Sequence, residues 1–288
     1  MSTSAAAALD HVVINVRTRL DEAQQLYRRL GFHLTHRGHH SIGTSNHLAV
    51  FQSNYLELLG YVGPDAEPPT DLVDTPAGLR ALALKPNDPA AVEAQLVARG
   101  LLAEPPADFS RQVAHSEGIG TARFRILKVR GDWVTDGSIF YCHHYTPDLV
   151  WRDEWRQHPN GVTDVMDVFV RTPHAEDTAA AYAEATGGTI AKDVGDGTVH
   201  VEAGGARVFF MSPEQATLCL EVAPPVAEWS DPAADQMVGL RLLTASILMT
   251  REVLSHNQIP FRTLKDGSVL VDARNALGVA LIFTDSDD

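Results

Sequence analysis

Two short stretches near the start of the chain alternate apolar and polar side chains in the manner of β-strands. In residues 9–16, apolar side chains at even positions share one face and His11 points to the other, because successive residues of a strand face opposite sides. In residues 54–60, two leucines flank Glu57 in the same way. If both apolar faces pack on one helix, His11 and Glu57 lie on the same side of one sheet.

The region between these strands predicts the rest of a compact unit. Residues 21–30 carry apolar side chains at helical spacing, and Gly31 follows as a helix stop. Further strands are predicted at residues 32–35 and 47–51, so the order is strand, helix and three strands. This order recurs three times along the chain, which predicts an α+β fold of four βαβββ units. The predicted first strands of the later units cover residues 79–84, 163–170 and the stretch from 238.

Two stretches rich in proline, glycine or aspartate are predicted to be connections, at residues 64–76 and 147–161. The second contains Trp151 and Trp155, so we expect an ordered bridge packed on the first half of the chain. We place the domain boundary there, with residues 9–161 as one domain and residues 162–288 as a second one.

Composition narrows the classes of function. The chain has 288 residues, a net charge of −14 and 44% hydrophobic residues. This acidity argues against nucleic acid or an anionic membrane as partner, since phosphate binding needs clustered Lys and Arg. The two cysteines, Cys142 and Cys219, form no CxxC pair, which excludes a disulfide framework and a thiolate zinc site. No signal peptide or membrane span is recognised, so we expect a cytoplasmic protein.

Several segments, in this order, resemble one protein family. They are LDHVVINV from residue 9, LYRRLGF from 26, GTSNH from 43, NYLELLG from 54, HHYTPDLVW from 143 and HPNG from 158. They are similar to the glyoxalase-like members of the vicinal oxygen chelate (VOC) superfamily over residues 9–161, and the similarity weakens after that. The resemblance implies that paired βαβββ units curl into half-open barrels, here two in tandem.

The resemblance also implies a divalent metal ion, such as Zn, Ni, Mn or Fe, held by His11 and Glu57. The chain departs from the family pattern in the second unit, where Arg80 and its neighbours replace an expected His and the last strand lacks a Glu. Comparison of Tyr55 and Glu57 with Tyr141 and His143 predicts that His143 faces the site as a third ligand. His144 is the alternative, because a bulge would exchange the two.

A base near the metal is also expected, because imidazole titrates near neutral pH. The remaining histidines of the first half are candidates, and His40 and His47 lie in the most family-like segment. The second half lacks paired His and Glu on its closing strands. We interpret it as a barrel without a metal, which serves as a dimer surface, a lid or a structural partner.

Three functions remain open from the sequence. The first is a metal-dependent isomerase or lyase that binds a small oxygenated substrate and moves a proton next to a carbonyl. The second keeps the site but is an Fe(II) extradiol dioxygenase. The third is a protein that binds a small molecule without turnover, as in resistance proteins.

Overall fold

The computed structural model describes residues 7–61, 73, 75–131, 137–193, 198–220 and 235–285. These residues form four units, each with a strand, a helix and three strands, as predicted. The strands are β1 (Ala7–Arg17), β2 (Gly38–His39), β3 (Ser45–Val50), β4 (Tyr55–Gly60), β5 (Gly78–Pro86), β6 (Ala107–His115), β7 (Gly118–Lys128), β8 (Ser138–His144), β9 (Val162–Arg171), β10 (Thr189–Lys192), β11 (Val199–Ala203), β12 (Ala206–Met211), β13 (Gln236–Thr244), β14 (Arg262–Thr263), β15 (Val269–Val271) and β16 (Ala280–Thr284).

One helix follows the first strand of each unit, and an additional short helix lies between the third and fourth units. The helices are α1 (Leu20–Arg29), α2 (Pro89–Ala98), α3 (Ala175–Thr186), α4 (Pro213–Cys219) and α5 (Ile247–His256). Asp88 starts α2 by accepting hydrogen bonds from two backbone N–H groups, the usual role of an N-cap carboxylate. Within the described part of the chain, no helix has the length and hydropathy needed to span a bilayer.

Each half of the chain builds one eight-stranded sheet. The first sheet has the order β2-β3-β4-β1-β5-β8-β7-β6, and the second repeats this order with β10-β11-β12-β9-β13-β16-β15-β14. In the first sheet, His40 after β2 pairs with Arg111 of β6, so the two edge strands meet and the sheet curls into a barrel. The predicted α+β fold with two tandem half-barrels is confirmed. We call them the first and second half-barrels.

Most predicted elements are confirmed within a few residues, with one clear error. Residues 32–35 are not a strand, because the apolar Phe32 and Leu34 fill the core beside α1 without pairing to a neighbour. The sequence interpretation also missed β6, β10 and β14, which are edge strands with weak apolar patterns. The predicted connection at residues 64–76 falls largely outside the described residues.

The two half-barrels share one hydrophobic core. It contains apolar side chains from both sheets and from the helices packed against them. Tyr27 of α1 is fully buried and its hydroxyl donates to the carbonyl of Ala276, 3.1 Å away in the other half. The predicted boundary at residues 161 and 162 therefore separates two sheets that are joined by a continuous core.

Residues 147–161 form the ordered bridge that the sequence predicted. The bridge contains two short 3-10 helices, Pro147–Leu149 and Asp153–Trp155. Val150 and Trp155 are buried inside the first half-barrel, and Trp151 packs beside them. His158 fixes the end of the bridge, since its Nδ1 accepts from the backbone N–H of His33 and its Nε2 donates to the carbonyl of Val50.

We expect His158 to make the protein less stable in mild acid. Burial lowers its pKa from 6.5 to about 4, so between these pH values the unfolded chain binds a proton that the folded chain does not. The contribution of His158 to the free energy of unfolding is therefore fully present above pH 6.5. It decreases as the pH falls toward 4, by up to about 3 kcal/mol. Urea unfolding of wild type and His158→Gln at pH 7 and 4.5 measures the difference.

The control for this experiment is His36→Gln, because the His36 side chain is exposed and its charge does not act on His158. His158→Gln should reduce the loss of stability between the two pH values, whereas His36→Gln should leave it unchanged. Equal pH dependence in wild type and His158→Gln would show that His158 does not cause it.

Candidate functional site

A β-bulge at Asp10 brings two neighbouring polar side chains into the first half-barrel. Leu9 pairs with Leu84 and His11 pairs with Ala83, so Asp10 is an extra residue in β1. A bulge turns a side chain that regular alternation would point away. Asp10 and His11 are both buried, with 0% and 3% of their surfaces exposed, and both belong to the same polar cluster.

One carboxylate oxygen of Asp10 accepts hydrogen bonds from two histidines. Its Oδ2 lies 2.6 Å from Nδ1 of His11 and 2.9 Å from Nε2 of His144. Burial alone raises the pKa of the Asp10 carboxyl, but the charges and hydrogen bonds of the two histidines outweigh it and hold that pKa well below its usual range. Because an ionised carboxylate only accepts hydrogen bonds, both ring nitrogens that face it carry protons. In the neutral form of each ring, the lone pair is then on the opposite nitrogen, Nε2 of His11 and Nδ1 of His144.

The lone pair of His11 faces Glu57, as the sequence predicted. Nε2 of His11 lies 3.6 Å from Oε2 of Glu57, too far for a strong hydrogen bond and close to the separation of two ligands on one metal ion. The ring of His11 is stacked on Tyr55 at 4.4 Å. The other oxygen of Glu57 accepts from Nδ2 of Asn46 at 2.6 Å. Both candidate ligands are thus held in place by neighbours.

The orientation expected for His143 is wrong. Tyr141 points to the opposite face, where its hydroxyl donates to the carbonyl of Ala185, so the comparison with Tyr55 was shifted by one residue. Phe140 and Cys142 face the interior of the half-barrel, and His144 follows them there. His143 is half-buried on the other face, with its ring 4.9 Å from the exposed ring of Tyr145.

The two histidines predicted as bases lie in different places. His40 reaches the cluster through Asn46, whose Nδ2 is 3.2 Å from its Nε2, while its Nδ1 is bonded to Thr44. Burial lowers the pKa of His40 to about 4. His47 lies on the opposite face of β3, where its Nδ1 contacts the carbonyl of Thr35 at 2.9 Å. The structure does not bring His47 to the cluster.

The cluster contains a group that can hold a metal ion. Ligand atoms of Asp10, Cys142 and His144 lie within 4.8 Å of one another, and all three residues are buried. Burial raises the pKa of the Cys142 thiol well above its usual value. Oδ1 of Asp10 and Nδ1 of His144 have no hydrogen-bond partner, and the ammonium of Lys85 lies 3.9 Å from Oδ1. Buried polar atoms without partners are costly, so the cluster is suited to binding a ligand or an ion.

Aromatic side chains form the walls around this cluster. Trp151 of the bridge lies 4.8 Å from the ring of His144 and 5.8 Å from that of Tyr55. Phe124 approaches His144 at 5.0 Å from the other side. Nε1 of Trp151 and Oδ1 of Asn46 are further buried atoms without partners. The interior is therefore apolar at its walls and polar at its centre, which is typical of a small-molecule site.

In the second half-barrel, the carboxylates of Asp167 and Asp164 bind other protein groups. Asp167 is fully buried and binds Arg207 and Arg241 at 2.8 and 2.9 Å. Asp164 accepts a hydrogen bond from the backbone of Ser53 in the first half. Among the described residues, no second group of three potential metal ligands like that of Asp10 is found.

Sequence reasoning missed Asp10, Asn46, Cys142 and Arg111 as site residues. The alternating pattern of β1 hides Asp10, since nothing in it marks a bulge. Cys142 lies among apolar residues of its strand, and Arg111 lies on β6, which the sequence interpretation missed. One available signal was the charge of Asp10 next to a run of apolar residues.

A family model described as a glyoxalase-like domain matches residues 9–186. The match covers the whole first half-barrel and continues through β9 and α3. No protein of curated function matches the chain.

Solved structures with the same fold cover nearly the whole chain. A hypothetical protein from Staphylococcus aureus is 14% identical with a TM-score of 0.67, over 96% of this chain and 99% of that one. A mutant of 4-hydroxymandelate synthase from Streptomyces coelicolor is 13% identical with a TM-score of 0.60, over 97% and 93%. A xylose isomerase-like TIM barrel/4-hydroxyphenylpyruvate dioxygenase fusion protein has a TM-score of 0.58 at 10% identity, and the match spans 98% of this chain and half of that protein. At these identities the similarity concerns the fold alone.

Proposed function

The chain belongs to the glyoxalase-like domain family, and from this premise we propose that it is a metal-dependent enzyme that moves a proton next to a carbonyl of a small oxygenated substrate. The observation that carries the proposal is the pair formed by Nε2 of His11 and Oε2 of Glu57, buried and 3.6 Å apart. An imidazole lone pair and a carboxylate oxygen at this separation are suitable ligands for one divalent ion.

Asp10 stabilises His11 in the role of a metal ligand, since it contacts the ring nitrogen opposite the one that would bind the ion. Metal-binding histidines usually donate their second N–H to a carboxylate, which fixes the tautomer and the ring orientation. Asp10 accepts that hydrogen bond at 2.6 Å, and the stacked ring of Tyr55 prevents His11 from turning. The first half-barrel is the candidate site, and His11 and Glu57 are the residues that would hold the ion.

His144 is the candidate base in this proposal. Its Nε2 is held by Asp10 at 2.9 Å, and its Nδ1 has no partner, so a lone pair is available to accept a proton from a substrate carbon. A divalent ion would stabilise the negative charge that develops on the neighbouring oxygen. Trp151 and Phe124 flank His144 and keep water away from it.

An Fe(II)-dependent dioxygenase is the second candidate. Two histidines and a carboxylate are the ligand types of non-haem iron sites, and the cluster contains His11, His144 and Glu57. Consumption of O2 that depends on ferrous iron would favour this function over proton transfer.

Metal content tests the proposal most directly. Purified wild type is expected to contain close to one divalent ion per chain by elemental analysis, and the His11→Ala and Glu57→Ala variants are expected to lose it because each removes a ligand. The matched control is His47→Ala, which removes a buried histidine from the opposite face of the same sheet. Circular dichroism verifies that all variants are folded.

Other outcomes have distinct meanings. If Cys142→Ala also loses the ion while Glu57→Ala keeps it, the metal is held by Asp10, Cys142 and His144 instead. If wild type binds no Zn, Ni, Mn or Fe after reconstitution, the enzyme proposal fails. A protein that binds a small molecule without turnover would then be the better account.

A further inference from the structure

Arg111 is a buried cation without an anionic partner at hydrogen-bond distance. Only 4% of its surface is exposed, and within the part of the chain that the structure describes its guanidinium has a ring contact with Phe124 but no hydrogen bond or ion pair. Burying an unpaired charge is strongly unfavourable. Such a group is retained when it binds something that is charged in the opposite sense, so Arg111 indicates an anionic ligand.

The position of Arg111 places that ligand beside the candidate metal site. Arg111 lies on the strand that closes the first half-barrel and pairs with His40 through its backbone. Its guanidinium lies 5.9 Å from the ring of Phe124, which also contacts His144. Burial lowers the pKa of Arg111, and the negative charge of Glu57 opposes that shift. A ligand between Arg111 and His144 would therefore lie within the same interior.

An open cavity lies next to the segment of β6 that carries Arg111. It has a volume of about 440 Å³ and is lined in part by Phe109, Ser110 and Phe124. Phe109 and Ser110 directly precede Arg111 on β6, and the rings of Phe109 and Phe124 are stacked at 5.0 Å. Arg111 does not itself line the cavity, but its guanidinium lies over the ring of Phe124, which does.

We infer that Arg111 binds the carboxylate group of a small organic acid, and that this acid belongs to the substrate class of the protein. Arginine suits a carboxylate because its planar donors match the two oxygens. A single unpaired positive charge fits a monoanion, whereas the second charge of a phosphate dianion would lie unmatched near Glu57 and Asp10. The inference rests on the proposed function for the reaction, although the binding itself needs only Arg111.

Calorimetric titration with propionate and benzoate tests this inference, with propionamide, benzamide and inorganic phosphate as comparison probes. Wild type is expected to bind the carboxylates more tightly than the amides or phosphate. Arg111→Gln should weaken carboxylate binding roughly 10- to 100-fold, the usual effect of losing a charge-assisted hydrogen-bond pair, and should leave amide binding unchanged. Arg123→Gln is the matched control, since Arg123 is an exposed arginine of the same cavity.

Protein stability gives a second readout. Arg111→Met removes an unpaired buried charge and is expected to raise the melting temperature without ligand by roughly 2–8 °C. Propionate should raise the melting temperature of wild type and have no effect on Arg111→Met. Equal carboxylate binding by wild type and Arg111→Gln, or loss of binding only in Arg123→Gln, would overturn the inference.

Metal analysis of the same samples separates this inference from the proposed function. Bound metal without carboxylate binding that depends on Arg111 overturns the inference alone. Carboxylate binding that depends on Arg111 in a protein that takes up no metal overturns the enzyme proposal and supports the inference.

Discussion

A His144→Gln variant is expected to keep its metal ion and to lose roughly 10²- to 10⁴-fold of the rate of proton exchange at a carbon next to a carbonyl. The reason is that Nδ1 of His144 is the unpartnered lone pair of the cluster, while Nε2 is held by Asp10. Glutamine keeps a side chain of similar length but has no basic nitrogen. The measurement is deuterium incorporation into hydroxyacetone in D2O, followed by proton NMR with metal-loaded protein.

His143→Gln is the matched control for this experiment. His143 is the preceding residue of the same strand, but its ring points away from the cluster toward Tyr145. We expect this variant to exchange deuterium at the wild-type rate. The assignment of His144 would be wrong if His143→Gln lost activity and His144→Gln retained it.

An Asn160→Ala variant is expected to lower the free energy of unfolding by roughly 2–5 kcal/mol. Asn160 is fully buried at the end of the bridge. Its Nδ2 donates to the carbonyl of Leu30 at 3.0 Å, and its Oδ1 accepts from the N–H of Val162 at 3.1 Å. Alanine leaves both backbone groups buried without their partner. Urea unfolding at pH 7 measures the change.

Asn257→Ala serves as the control for Asn160. Asn257 also bonds to a carbonyl of α1, that of Arg29 at 2.8 Å, but this hydrogen bond is exposed. Water can replace it, so we expect a change of less than about 1 kcal/mol. Similar losses in both variants would mean that burial of Asn160 is not what makes its contacts important.

Close packing near Asn160 explains why Gly31 follows α1. Gly31 has a φ of +90°, and a Cβ there would lie 2.8 Å from Cβ of Asn160 and 2.7 Å from Val253. The sequence interpretation identified Gly31 only as a helix stop. Its second role, allowing the bridge and α5 to approach, depends on segments more than 100 residues away and is invisible in a local pattern.

The candidate site was predictable to the extent that it follows strand alternation. His11 and Glu57 were assigned to one face of one sheet, and they lie there with 3.6 Å between their side chains. Their role as metal ligands stays a prediction. The expected inward orientation of His143 was wrong because the internal comparison assumed the wrong register for Tyr141 and Phe140, and the identity of the third ligand stays a prediction.

The sequence alone determined the fold class, the four repeated units, the ordered bridge and the inward orientation of His11 and Glu57. These features depend on local periodicity, which a chain carries in its own order of residues. Only the tertiary structure decided that Asp10 joins the cluster, that His144 faces inward and that Arg111 is buried without an ion-pair partner among the described residues. A bulge, a strand register and the closing of a sheet are set by packing between distant segments, and neighbouring residues do not encode them.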